Sequence, residues 1–72
     1  MKVEDILKHV TDETNICIQP SGTSLDECEI WKAYAWANYR YSKYTVHSII
    51  PRISNEYGNY LLIRCYNRKG II

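Results

Sequence analysis

SLDECEIWKAYAWANYRYSKY, residues 24–44, divides into secondary structure in two ways, and the topology of the whole chain follows from the choice. Ser24 with Glu27 three residues later fits a capping box. A helix begun there runs through Tyr41 with Ile30, Ala33, Tyr34, Ala37 and Tyr41 along one face. The other division makes residues 19–23 a hairpin connection, residues 24–31 a second strand, and only about residues 32–42 helical. Local chemistry alone supports the long helix.

The flanks are plainer. On the N-terminal side, Val3, Ile6, Leu7 and Val10 stand at i, i+3, i+4 and i+7, one stripe of a short amphipathic helix, with Glu4 and Lys8 paired outside. So short a helix is marginal alone and must dock, and a sheet is the natural surface. TDET at 11–14 is a polar turn. NICIQP then alternates, with Ile16 and Ile18 on one face and Cys17 on the other, a strand closed by Pro20 and the turn residues Ser21 and Gly22. On the C-terminal side, TVHSIIPRI is β-branched and apolar, NEYGN has turn composition, and YLLIRCY returns as a strand, so a hairpin with a four- or five-residue loop is expected. Pro51 donates nothing to a ladder, which places its strand at an edge or a bulge. Residues 66–72, ending NRKGII, read as a frayed basic tail.

Composition limits the function classes. A chain of 72 residues makes one small domain, and 46% apolar against 24% charged residues is the balance of a folded globule. Phe is absent, so Tyr, Trp, Ile and Leu fill the core, and the polar tips of Tyr and Trp draw aromatic edges toward the surface. No apolar run approaches the roughly 20 residues of a membrane span, and MKVEDILKHV carries acids where a signal peptide is apolar. A cytoplasmic protein is expected, without membrane contact. Cys17, Cys28 and Cys65 are odd in number and lack a CxxC pattern, so they read as reduced packing residues. Charge is polarised. Residues 1–30 hold seven acids against Lys2 and Lys8, and residues 31–72 hold seven bases against Glu56 alone. That asymmetry suits an acidic partner on the basic half or two halves that fold against each other.

The opening MKVEDILKHVTDETNICI, the tyrosine-flanked YTVHSIIPRI and the closing YLLIRCY resemble a set of short proteins carried by prophages and mobile elements of Gram-positive bacteria. Those begin with a helix of the form MKVxDLL, continue in a DxTxV-I strand and end in a YxV-x-SI plus LxIxI hairpin. In them the middle looks like a strand followed by a short helix or loop. This turns residues 24–42 toward the second division. WKAYAWANYRYSKY, residues 31–44, departs from the pattern, since that region is usually charged and poor in aromatics. The resemblance brings no established activity.

No chemistry of catalysis or metal binding is signalled. His9 and His47 are far apart in sequence and lack close ligand partners, so no metal is expected; His9 reads as a cation near a helix C-terminus and His47 as an outward strand residue. There is no GxSxG and no phosphate-cradling glycine loop, and a domain this small has little room for a pocket of about 300 Å³ or more. The chain reads as no enzyme, with no cofactor.

Binding remains, and it returns to residues 31–44, which hold both tryptophans, four of the seven tyrosines and three bases. With residues 32–42 helical, Ala33, Trp36, Ala37, Arg40 and Tyr44 share one side, while Tyr34, Asn38 and Tyr41 share another. Two stripes cannot both face one sheet. Some of Tyr34, Tyr39 and Tyr41 are then exposed beside Arg40 and Lys43, and these five residues form the candidate partner-binding surface. Aromatics interleaved with Lys32, Arg40 and Lys43 also suit single-stranded nucleic acid, although the near-neutral total charge argues against it. The plainest alternative is that all these rings close a small core.

The expected fold is a single α+β domain in the order αββαββ, with a mainly antiparallel sheet of three or four strands; αβαββ with one long middle helix is the alternative. The expected function is that of a small binding protein of phage or mobile-element type that contacts a host or phage protein, with inhibition of a host defence nuclease or CRISPR effector as its concrete form. An accessory single-stranded nucleic-acid binder is the rival, and a self-associating structural protein, a homo-oligomer, the third reading.

Overall fold

The computed structural model describes residues 1–69. Helix α1 (Val3–Leu7) is closed at its N-terminus by Asp5, whose Oδ2 accepts the backbone N–H of Lys2 at 2.9 Å. Its stripe faces inward as the spacing requires: Val3 and Ile6 are buried, and Leu7 and Val10 pack against the same core. Glu4 takes a different partner from the one expected. Its Oε1 accepts from Lys43 Nζ at 2.9 Å, a residue 39 positions away, while Lys8 stands at the helix C-cap. An exposed i, i+4 pair is worth only a few tenths of a kcal/mol, so a better-placed cation displaces it.

Strand β1 (Asn15–Pro20) follows the threonine turn, in which the Thr11 and Thr14 hydroxyls lie 2.9 Å apart. Ile16 and Ile18 enter the core below the helices. Cys17 faces the opposite side and is buried too, between its cross-strand neighbours Ile30 and Leu62.

Residues 24–44 combine parts of both divisions. The capping box exists: Ser24 Oγ accepts the Asp26 N–H at 3.2 Å, and Glu27 Oε1 accepts the Ser24 N–H at 3.3 Å. It starts only a 3₁₀ turn, Leu25–Glu27, after which Cys28 is extended and β2 (Ile30–Lys32) begins. The strand expected over 24–31 is therefore three residues long. Pairing Ile30 with Cys17 and Trp31 with Ile16 brings Trp31 against the core, which a continued helix would not do.

Helix α2 (Ala33–Trp36) is also shorter than expected. The chain turns at Ala37 and Asn38, Tyr39 is extended, and a second 3₁₀ turn covers Arg40–Lys43. The predicted face over 32–42 is corrected accordingly. Ala33, Trp36 and Tyr44 meet the core, whereas Ala37 and Arg40 are exposed, and Tyr34 and Tyr41 share no stripe because the helix ends between them. Breaking the helix lets Tyr39 and Tyr41 turn back onto the tryptophans.

Strands β3 (Tyr44–Ser54) and β4 (Gly58–Lys69) form a long hairpin. Its loop is three residues, tighter than the four or five expected. Ser54 Oγ accepts the N–H groups of Glu56 and Tyr57 at 3.1 and 3.2 Å, and Gly58 takes φ +77°, where glycine carries no Cβ penalty. β4 runs through Lys69, opposite Tyr44, where the sequence suggested a frayed tail from residue 66; the rest of that tail lies outside the described residues.

The strands assemble in the order β2-β1-β4-β3, with β1 and β4 parallel in the centre and antiparallel neighbours on both flanks. Pro51 therefore sits on an edge strand, as its missing N–H demands, and the irregular register falls instead around Val46. The fold is αββαββ, a small α+β domain with 45% strand and 24% helix. Among the described residues no helix is long and apolar enough to cross a membrane.

Candidate aromatic binding site

The site grows from the two tryptophans. Trp31 lies on β2 opposite Ile16, and Trp36 ends α2. α2 is sewn to the turn before β1 by Ala33 N–H to Thr14 O, 2.8 Å, and Tyr34 N–H to Asp12 O, 3.3 Å. That anchorage drives Trp36 inward to 3% exposure, where its Nε1 donates to the Ile16 carbonyl at 2.8 Å. The indole thus buries its ring without stranding its polar handle. Trp31, half-buried, donates its Nε1 to Glu29 Oε1 at 2.9 Å and stacks on Trp36 with ring centroids 4.2 Å apart.

Tyrosines extend the stack. Tyr39 sets its edge against both indoles, at 5.3 and 5.5 Å, Tyr41 lies near-parallel to Trp36 at 6.0 Å, and Tyr44 adjoins Tyr41 at 5.0 Å. Each such pair adds about 0.5–1.5 kcal/mol beyond area burial. The rings therefore hold one another in place. Arg40, exposed at the end of this stack, lies over two ring faces, with its guanidinium carbon 5.1 Å from the Tyr39 centroid and 5.2 Å from that of Tyr41.

Of the five residues singled out from the sequence, the fold brings Tyr39, Arg40 and Tyr41 together. Tyr34 stands apart on α2 at 57% exposure, and Lys43 is tied to Glu4. The Lys43 hydrogen bond holds the Glu4 carboxyl below its usual range. Lys32 also has a carboxylate nearby, Glu13 at 3.9 Å.

Sequence reasoning missed a small pocket beside the stack. About 140 Å³ opens between the aromatic cluster and the first 3₁₀ turn, walled by Trp31, Trp36, Tyr39 and Tyr41 and rimmed by Glu27 and Glu29. Part of the signal was present in ECEIW: the two-residue spacing of Glu29 and Trp31 puts an acid and an indole on one side of extended chain, while Glu27 reaches the pocket from the preceding 3₁₀ turn. A second opening contradicts the expectation that so small a domain has little room for one. It is a groove of about 360 Å³ flanked by Thr14, Pro51, Ile53 and Leu61, and among the described residues no carboxylate, histidine or cysteine lines it.

The cysteines are free, with Cys17 and Cys65 buried and Cys28 half-buried. Burial pushes the Cys17 thiol up to about 12 and the Cys65 thiol to about 11. The Cys28 thiol is raised as well, by its own desolvation first, with the neighbouring Glu27 adding to it. Inert thiols are the consequence at neutral pH. His47 points outward beside Tyr66, and among the described residues no three of His, Cys, Asp or Glu gather as a metal-binding group.

Comparison with known proteins finds no matching family model, no matching curated protein and no matching solved structure.

Proposed function

We propose that this chain is a small cytoplasmic, non-enzymatic binding protein that works by contact with another protein, using a surface centred on Tyr39, Arg40 and Tyr41, with Tyr34 and Lys43 as outlying contacts. The observation that carries this reading is the Tyr39–Arg40–Tyr41 cluster: an arginine set in the corner of two perpendicular tyrosine rings, 5.1 and 5.2 Å from their centroids, at an exposed end of a buried aromatic cluster. Tyrosine, tryptophan and arginine are the residues enriched at interface hot spots, and a rigid stack loses little entropy when a partner covers it. The concrete form we favour is a phage or mobile-element inhibitor of a host defence nuclease or CRISPR effector, which rests on the pattern at both ends of the chain.

The cation arrangement favours protein over nucleic acid as the partner. Lys43 is bonded to Glu4 and Lys32 lies near Glu13, so two of the three bases that would meet phosphates already face carboxylates. Affinity capture from nuclease-treated bacterial lysate, followed by mass spectrometry, tests the reading with wild type and the Tyr34→Ala/Arg40→Ala double variant side by side. A protein captured by wild type and lost from an equally stable double variant supports it. Equal capture by both, or capture that disappears with nuclease treatment, overturns it.

A further inference from the structure

The opening beside the tryptophans has two features that together define a ligand class. Its walls are π-faces and edges from Trp31, Trp36, Tyr39 and Tyr41, and its rim carries two carboxylates, Glu27 and Glu29, both exposed. Aromatic faces attract cations through their quadrupole, and a carboxylate rim adds Coulomb attraction to the same charge. An uncharged apolar ligand would gain from the walls but not from the rim. An anion would be repelled by the carboxylate rim.

Size narrows the class further. About 140 Å³ takes one compact head group, whereas drug-sized ligands occupy sites of about 300 Å³ or more. The chain itself shows which cation suits these rings. Arg40, which does not line the pocket, already places its guanidinium within 5.1 and 5.2 Å of the Tyr39 and Tyr41 ring centroids. A planar guanidinium stacks on aromatic faces and forks onto a carboxylate, which is the pair of surfaces the pocket offers.

We infer that this pocket receives a cationic side chain, an arginine presented by the protein partner, with its guanidinium held against the aromatic wall of Trp31 and Tyr39, whose rings stand at 85° to each other, and with Glu27 and Glu29 accepting its N–H groups. The inference deepens the protein-contact reading and rests on it for the source of the arginine. It also gives a role to the acidic half of the chain: Glu27 and Glu29 select a basic residue a short way from where Arg40 meets the same partner. The partner surface would then present both a basic anchor and an acidic or aromatic complement to Arg40.

Both tryptophans of the chain belong to the pocket wall, so intrinsic fluorescence reports its occupancy directly. The probes are Nα-acetyl-arginine methylamide, its neutral isostere Nα-acetyl-citrulline methylamide, and choline as a free small cation. The expected result is a saturable change with the arginine probe, citrulline weaker by about tenfold, and choline weaker than arginine. In Glu27→Gln, which keeps an oxygen for the Ser24 N–H and hence the fold, the preference for arginine over citrulline should shrink by several-fold. Equal response to arginine and citrulline, or an unchanged preference in a folded Glu27→Gln, overturns the inference. Choline binding more tightly than arginine overturns the guanidinium assignment. Because the titration needs no partner, its failure is separable from that of the protein-contact reading. Partner capture by wild type that shows no saturable arginine response removes the pocket alone, and a citrulline-discriminating response in a chain that captures no protein supports the pocket and removes the partner.

Discussion

Trp36 and Tyr34 lie two residues apart and mark the boundary between core and surface. Trp36 is 3% exposed and hydrogen-bonded to a buried carbonyl, so Trp36→Ala removes packing and strands the Ile16 acceptor, a cost of about 3–5 kcal/mol. In a domain whose whole stability lies near the low end of about 5–15 kcal/mol, the variant should be largely unfolded by circular dichroism. Tyr34→Ala should stay within about 0.5 kcal/mol of wild type in urea denaturation. Tyr41, which the sequence placed on the same stripe as Tyr34, belongs with the cluster instead, and Tyr41→Ala should fall between the two. The thiols titrate in an informative window. Cys17 and Cys65 have folded values raised above the ordinary 9.0, so their contribution is complete below that value and is lost as pH climbs toward about 11 and 12, because the unfolded chain releases protons first. Thermal midpoints should therefore fall from about pH 9 upward, and in Cys17→Ala the fall should be shallower. A thiol-specific reagent at pH 8 should find Cys28 ahead of Cys17 and Cys65, which react only as the domain opens.

At the scale of elements, the hairpin turn gives a clean test. Gly58 has φ +77° and open space where a Cβ would go, so Gly58→Ala costs backbone strain alone, about 1–2 kcal/mol, measurable by urea denaturation. The elements that periodicity carried were legible from the residues alone: the α1 stripe, the alternation of β1, and the β3–β4 hairpin with Pro51 at an edge or a bulge, of which the fold has the edge. Residues 24–44 were only half legible, and the reason is physical. Ser24 and Glu27 do satisfy the first turn of a helix, but a capping box fixes only a start, and the extent was decided by the chance to pair Trp31 with Ile16 and to fold Tyr39 and Tyr41 over Trp36. Pairing of this kind depends on a strand distant in sequence, and no local pattern reports it. The same holds for the pocket, whose acids were visible in ECEIW while its walls required Tyr39 and Tyr41 to swing back.

Across the whole molecule, the two helices cover only part of one sheet face. Ile49 and Ile53 on the edge strand β3 remain 43% and 80% exposed, beside the groove at Pro51. An exposed apolar edge is the feature that would support self-association. If partner contact runs through the aromatic stack instead, Ile53→Lys should leave partner capture unchanged and stability within about 0.5 kcal/mol, and sedimentation should show wild type and variant at the same mass. Charge is also distributed at this scale. The acids of the first half are not simply cancelled by the bases of the second: of the seven, Glu4 and Glu13 meet Lys43 and Lys32, while Glu27 and Glu29 stand on the pocket rim. The partner surface and the edge strand lie on different elements, so one experiment separates them. In amide chemical-shift mapping of ¹⁵N-labelled protein titrated with the captured partner, the largest perturbations should fall on Tyr34 and on Tyr39 through Lys43, with the indole N–H signals of Trp31 and Trp36 moving as the pocket fills. Perturbations confined to Ile49 through Ile53, with the residues of the aromatic stack unmoved, would contradict a partner surface built on Tyr39, Arg40 and Tyr41.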